Sequence, residues 1–372
     1  MARLLVEHSC ELRPHDRVFI ESVNAPNEIV TALIRATKAV GATPLVALKD
    51  DEIIRELSAV YEPDDVKLMA ACELHTLQKV QAFISIRAIH NPETYSAIPP
   101  DKLANVLRHY VQPVHLNFRN DNLRWVSLRW PTPAMARNAN LAIEDFTDFF
   151  FDVCTIDYGR MESAMAPLAE LLERTETVRI SGPGKTDLSF SINGIGAFKS
   201  TGKHNIPDGE LFTAPVKDSV EGVINFNVAS TYYGRRFDDI ALEFRHGQVV
   251  NASAASNVTA LNEVLDQDGG ARYVGEFAFG VHPTITSPIN DVLFDEKIAG
   301  SVHLALGNAY KVCDNGNRSA IHWDLVLIQS AEMGGGGVYC DDVLIRKDGR
   351  FVLPQLTALN PENLLIVDGQ SA

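Results

Sequence analysis

Arg17-Val-Phe-Ile-Glu-Ser-Val23 is apolar on both faces, as a strand buried inside a parallel sheet is. Pro26 opens the next segment, in which Ile29, Val30, Leu33, Ile34 and Val40 recur at helical spacing until Gly41 ends it. A second apolar run, Pro44-Leu-Val-Ala-Leu48, follows at once. Strand, helix, strand in that order is a βαβ unit, and it assigns the N-terminal part to the α/β class with a mostly parallel sheet. Ala82-Phe-Ile-Ser-Ile86 and Trp125-Val-Ser-Leu-Arg-Trp130 extend that sheet, separated by helical patterns around residues 62–77 and 100–110. No G-x-G-x-x-G loop follows the first strand, so a dinucleotide site has no support here.

Beyond about residue 156 the pattern changes. Leu188, Phe190 and Ile192 oppose Ser189 and Ser191, and Ile224, Phe226 and Val228 oppose Asn225 and Asn227, the alternation of half-exposed antiparallel strands. Leu242-Glu-Phe-Arg245 runs into a His246-Gly247 turn and returns through Gln248 and Val249. The expected architecture is an α/β domain over residues 1–156 and an α+β domain rich in antiparallel strands over residues 157–372. A helical stretch between Asp157 and Thr175 joins them. Gly334 to Gly337 reads as a flexible turn between two strands.

The chain has 372 residues, and 33 Lys+Arg against 48 Asp+Glu give a formal net charge of -15. Such a surface repels phosphate backbones, which argues against a nucleic-acid partner. With 46% hydrophobic and 22% charged residues the chain is globular in composition. No run reaches the ~18 apolar residues of a membrane span, and Glu7 and Glu11 interrupt the start where a signal peptide would stay apolar. A soluble, cytoplasmic protein with no membrane partner is expected. Its five cysteines (Cys10, Cys72, Cys154, Cys313, Cys340) are scattered, without a C-x-x-C pair, and read as reduced thiols.

Chemistry concentrates between Asn205 and Asp324. Pro207-Asp-Gly209 makes a turn that delivers Glu210 to the start of an apolar strand. Glu276 stands alone among apolar residues and glycines in Val274-Gly-Glu-Phe-Ala-Phe-Gly280; it is either a buried carboxylate needing a partner or an edge-strand surface charge. In Ser301-Val-His-Leu-Ala-Leu-Gly307, His303 shares a face with the small Ala305 and Gly307, which leaves room at its imidazole. Tyr310 can join it at one site only if the strand bends near Gly307. His322 and Asp324, two apart on a strand, project together, with Trp323 and Leu325 opposite. Imidazole and carboxylate donors without thiolate suit zinc, cobalt or manganese, and the carboxylates suffice for two divalent metal ions.

Pro207-Asp-Gly-Glu-Leu-Phe-Thr-Ala-Pro215, Gly275-Glu-Phe-Ala-Phe-Gly280, the segment from Phe294 to Tyr310 and Ser319-Ala-Ile-His-Trp-Asp324 resemble, in order, the motifs of the M29 metallo-aminopeptidases. The resemblance runs through nearly the whole chain. It implies a two-metal site ligated by Glu210, Glu276, His303, Tyr310, His322 and Asp324, in the second of two domains, within a homodimer that hydrolyses the N-terminal residue from peptides. Tyr310, Glu210 and Glu276 are the candidates for catalysis: the tyrosine as phenolate ligand or as donor to the developing oxyanion, either glutamate as the proton carrier. Glu296 and Lys297 line the cavity or form an exposed charge pair. Two departures bear on the substrate cavity: the short spacing from Tyr310 to His322, and His282 where asparagine is usual. The chain is also similar to the dihydroxypyridine dioxygenases, in which His303, His322 and Asp324 would hold a single Fe(II). A metal-binding homologue without activity is the third expectation.

Overall fold

The computed structural model describes residues 1–91, 98–232 and 234–365. They divide into two compact units, Met1–Ile156 with Gly202–Pro207, and Asp157–Thr201 with Asp208 onward.

In the first unit five parallel strands lie in the order Thr43–Lys49, Arg17–Val23, Ala82–Arg87, Arg124–Arg129, Asn205–Ile206. Arg17–Val23 is buried along nearly its whole length because it has neighbours on both sides and helices over it. The Asn27–Ala39 helix follows it as expected, turning Ile29, Val30 and Leu33 inward. Asn205–Ile206, which falls in the second domain by sequence pattern, pairs instead with Ser127 and Leu128 of the first unit. Two residues are too short to carry a hydrophobic period, so the pattern could not assign them. The helical pattern of 100–110 also runs further, through a π-helical segment from Leu107 to Arg119 that contains Pro113. A proline lacks the N–H that an α-helix would use there, and the wider turn accommodates it.

The second unit is antiparallel. One sheet of eight strands includes Thr177–Ser181, Asp187–Ser191, Glu221–Asn225 and Ala241–Arg245, with Leu188, Phe190, Ile224 and Leu242 buried as their alternation requires. Another sheet of five orders His322–Ile328, Ser301–Gly307, Val274–Gly280, Glu210–Thr213 and Phe198–Ser200. Val274–Gly280 is its centre, which excludes the edge-strand reading of Glu276. The tetraglycine turn lies between two strands and is pinned, Gly336 N donating to Asp348 Oδ1 at 3.0 Å and Asp348 N to the Gly336 carbonyl at 2.7 Å. All five cysteines are free thiols. Among the described residues no helix is long and apolar enough to cross a membrane.

Candidate metal centre

Register in the five-stranded sheet brings the candidate residues to one face. Gly280 lies opposite Glu210, Ala278 opposite His303, Ala305 opposite both Glu276 and Asp324, and Gly307 opposite His322. Each of these strand residues thus has a glycine or alanine opposite it on at least one side, while Val326 also lies opposite His303 and Ser200 opposite Glu210. That leaves space at cross-strand distances where larger residues would meet. The other face carries Phe277, Phe279, Val302, Leu304, Trp323 and Leu325, all buried, so the sheet is fixed by its core side.

One irregularity is essential to this alignment. Val274 pairs with Leu306 and Glu276 with Ala305, so the strand carries one extra residue, Gly275, as a bulge. Without it, Val274 and Glu276 would share a face, and the carboxylate would point into the core. A Cβ at Gly275 would lie 2.4 Å from the Gly307 carbonyl oxygen and 2.6 Å from that of Asn308. Gly275→Ala should therefore destabilise the protein by about 2–3 kcal/mol and weaken metal binding at Glu276. Urea unfolding with zinc titration measures both, and wild-type values in each would remove the bulge from the account.

Gly307, with φ of 101°, ends its strand and supplies the bend that Tyr310 requires. The Tyr310 ring then comes within 4.6 Å of the His322 ring, centre to centre. The residue is 48% exposed, and its phenol is surrounded by the acidic side chains of the centre. Burial pushes the phenol well above its usual range, and the fields of Glu276, Asp324, Glu296 and Glu210 add to this. In the metal-free centre it is thus a hydrogen-bond donor.

The donors form two clusters, Glu210 with Glu296 and His303, and Glu276 with His322 and Asp324. His303 Nε2 lies 3.4 Å from both Glu210 Oε2 and Glu276 Oε1. His322 Nε2 lies 3.6 Å from Glu276 Oε2 and from Asp324 Oδ1. Its Nδ1, 2.8 Å from the Asn308 carbonyl, is turned away from the carboxylates, which leaves Nε2 facing them. Glu276 reaches one cluster with each oxygen. Glu296, left undecided by sequence, is a full member of the first cluster. Lys297 beside it is fully buried, paired with Glu296 and 3.8 Å from Glu210 Oε2. The exposed charge pair is thereby excluded.

These residues fit divalent ions. Glu210 Oε2 and Glu276 Oε2 are buried and make no hydrogen bond among the described residues, so acceptors stand where a cation would be ligated. The imidazole and carboxylate set matches zinc, cobalt or manganese.

Burial opposes charge on His303, but contact with Glu276 and the carboxylates of Glu210 and Asp324 outweigh it and hold its pKa at about 9, against an ordinary 6.5. His322 is raised in the same way, burial being overcome by Asp324 and Glu276. Burial also lifts the Glu210 and Glu296 carboxyls, with Lys297 opposing. All four shifts have one sign: the folded, metal-free centre keeps protons that an unfolded chain would release. The histidine contribution to stability is complete below 6.5 and is lost as pH rises through about 9. Chelator-treated protein should accordingly show a Tm that falls over this window, while the stabilisation by added zinc grows, since the ion replaces the protons. A flat Tm with a constant zinc effect would contradict this assignment.

The profile of the thermophilic metalloproteases (M29) matches residues 1–351. Aminopeptidase 2 of Geobacillus stearothermophilus is 28% identical over 393 residues, covering 91% of this chain and 93% of its own. Among solved structures, wild-type AmpT from Thermus thermophilus superposes with a TM-score of 0.77 at 22% identity, covering 95% of this chain and 98% of the other. The 2,5-dihydroxypyridine dioxygenase of Pseudomonas putida KT2440 follows with a TM-score of 0.62 at 14% identity, covering 96% and 98%. At these identities the two structures speak for the fold alone. On the profile match over almost its full length, the chain belongs to the M29 family of metallo-aminopeptidases and is a metal-dependent hydrolase.

Proposed function

We propose that this hydrolase is a two-metal aminopeptidase that removes the N-terminal residue from peptides. Its ligands are Glu210, Glu276, His303, Tyr310, His322 and Asp324, joined by Glu296. The observation that carries the two-ion reading is Glu276, whose Oε1 faces His303 of one cluster and whose Oε2 faces His322 of the other. Two divalent ions of the zinc, cobalt or manganese type would polarise the scissile carbonyl and make a water acidic enough to supply hydroxide near neutral pH. Glu210 or Glu276 would take a proton from the attacking water and return it to the leaving amine. Tyr310 serves as a phenolate ligand or, where its hydroxyl keeps the proton, as a donor to the oxyanion as it develops. A carboxylate of the centre also receives the free α-ammonium of the substrate, which restricts cleavage to the first residue.

The single-iron alternative needs His303, His322 and Asp324 together with open positions for oxygen and substrate. Here His303 groups with Glu210 and Glu296, and three glutamates crowd the same space, which favours hydrolysis. The reading includes a cytoplasmic homodimer, for which light scattering at micromolar concentration should return twice the 40.9 kDa chain mass. The deciding experiment measures metal content after purification without chelator, alongside hydrolysis of free and N-acetylated aminoacyl anilides. Two ions and cleavage of the free substrate alone are expected. One iron with no cleavage would support the oxygenase, and no metal with no activity on its re-addition would support a non-catalytic homologue.

A further inference from the structure

Lys297 distinguishes the two clusters. It is fully buried, it pairs with Glu296, and its Nζ lies 3.8 Å from Glu210 Oε2. No carboxylate of the Glu276, His322 and Asp324 cluster is within ion-pair distance of it among the described residues. Asp208, also buried, acts on the ammonium from further off and lies in neither cluster. With neutral imidazoles and Glu276 shared between the clusters, the first adds Glu210 and Glu296 with a lysine ammonium beside both, while the second adds Asp324 with no cation within ion-pair distance among the described residues. A cation in the first cluster meets the buried ammonium beside its own glutamates, a repulsion that a cation in the second cluster meets only from further off, and the burial of Lys297 keeps water from screening it.

Resting on the two-ion reading above, we propose that Lys297 is a positioning residue that makes the centre unequal: the cluster of Glu276, His322 and Asp324 fills first and tightly, and the cluster of Glu210, Glu296 and His303 holds a weaker, exchangeable ion. The lysine holds both glutamates of that cluster in place when the second ion is absent, and it resists the arrival of that ion by its charge. Loss of the ion therefore need not leave two bare, buried carboxylates side by side. The enzyme would pass reversibly between one-ion and two-ion forms according to the free metal concentration.

The test uses full-length, metal-free protein and zinc alone, with a chromogenic chelator as competitor. Wild type should bind two zinc ions in two resolved steps, and ring-nitrogen NMR should show His322 perturbed by the first equivalent and His303 by the second. Lys297→Gln should tighten the weaker step by about tenfold or more, as expected for removing a unit charge near an ion in a water-poor site. Lys297→Met should do the same if it folds; the order of filling in wild type needs neither variant. Two steps with His303 perturbed first, or a weaker step that Lys297→Gln loosens or leaves unchanged, would overturn this inference and leave the two-ion centre standing. Two ions bound in one unresolved step would overturn this inference alone, and a stoichiometry of one ion in wild type would overturn both.

Discussion

His322→Ala and Asp324→Ala should each abolish hydrolysis of aminoacyl anilides and release an ion from protein that otherwise holds two. The two side chains project together from the His322–Ile328 strand, and with Glu276 they form one donor cluster. Removing a neighbour of a ligand already costs about 10–100-fold in metal affinity or activity; loss of a ligand itself should exceed that range. Folding should survive, because both residues are only partly buried while Trp323, beside them in sequence, anchors the strand from its other face through Ser230 at 2.8 Å and a stacked Tyr232. Metal analysis, anilide hydrolysis and a thermal melt on the same samples separate a lost ligand from a lost fold. Wild-type rate and metal content in both variants would mean that the proposed site is wrong.

Those residues could be read from the sequence because a strand has a period of two. The placement of His322 with Asp324 follows from spacing, and so does the room around His303. What spacing does not contain is the bulge at Gly275, which decides the face on which Glu276 emerges. Glu276 could be singled out as a charge among apolar residues, but its direction depends on pairing with Ser301–Gly307, a contact between segments remote in sequence. Glu296 was harder still. Glu296 and Lys297 read as a cavity lining or as an exposed charge pair, and charged residues are mostly exposed. Here the chain packs beneath the central strand, where a Cβ at Gly280 would lie 2.9 Å from the Glu296 carbonyl oxygen, and the pair becomes interior. The βαβ start of the first unit was legible for the opposite reason, since each of its elements carries its own hydrophobic period. Asn205–Ile206 joins that sheet without any such signal.

Glu210→Gln and Glu276→Gln should separate hydrolase from oxygenase, since only the two-ion reading requires these carboxylates as ligands. Both substitutions keep shape and remove charge, and a neutral amide neither ligates a divalent ion well nor balances it. Their effects should differ in kind. Glu210 belongs to one cluster, so Glu210→Gln should lose about one ion and most activity. Glu276 faces both histidines, so Glu276→Gln should lose at least one ion and loosen the other. Thermal melts in chelator provide the control, because both wild-type side chains carry a buried oxygen that makes no hydrogen bond among the described residues. Neutralising either also removes a partner of protonated His303, and for Glu210 one of Lys297, so the melts show how much of any loss belongs to the fold. Lost activity with retained stability then points to the metal centre itself. Under the single-iron reading, the same two variants would keep one iron on His303, His322 and Asp324, consume oxygen in the presence of a dihydroxylated aromatic ring and cleave no peptide. That outcome would transfer the centre from peptide hydrolysis to ring cleavage, because it would show that the three histidine and aspartate ligands suffice and that the glutamates only surround them.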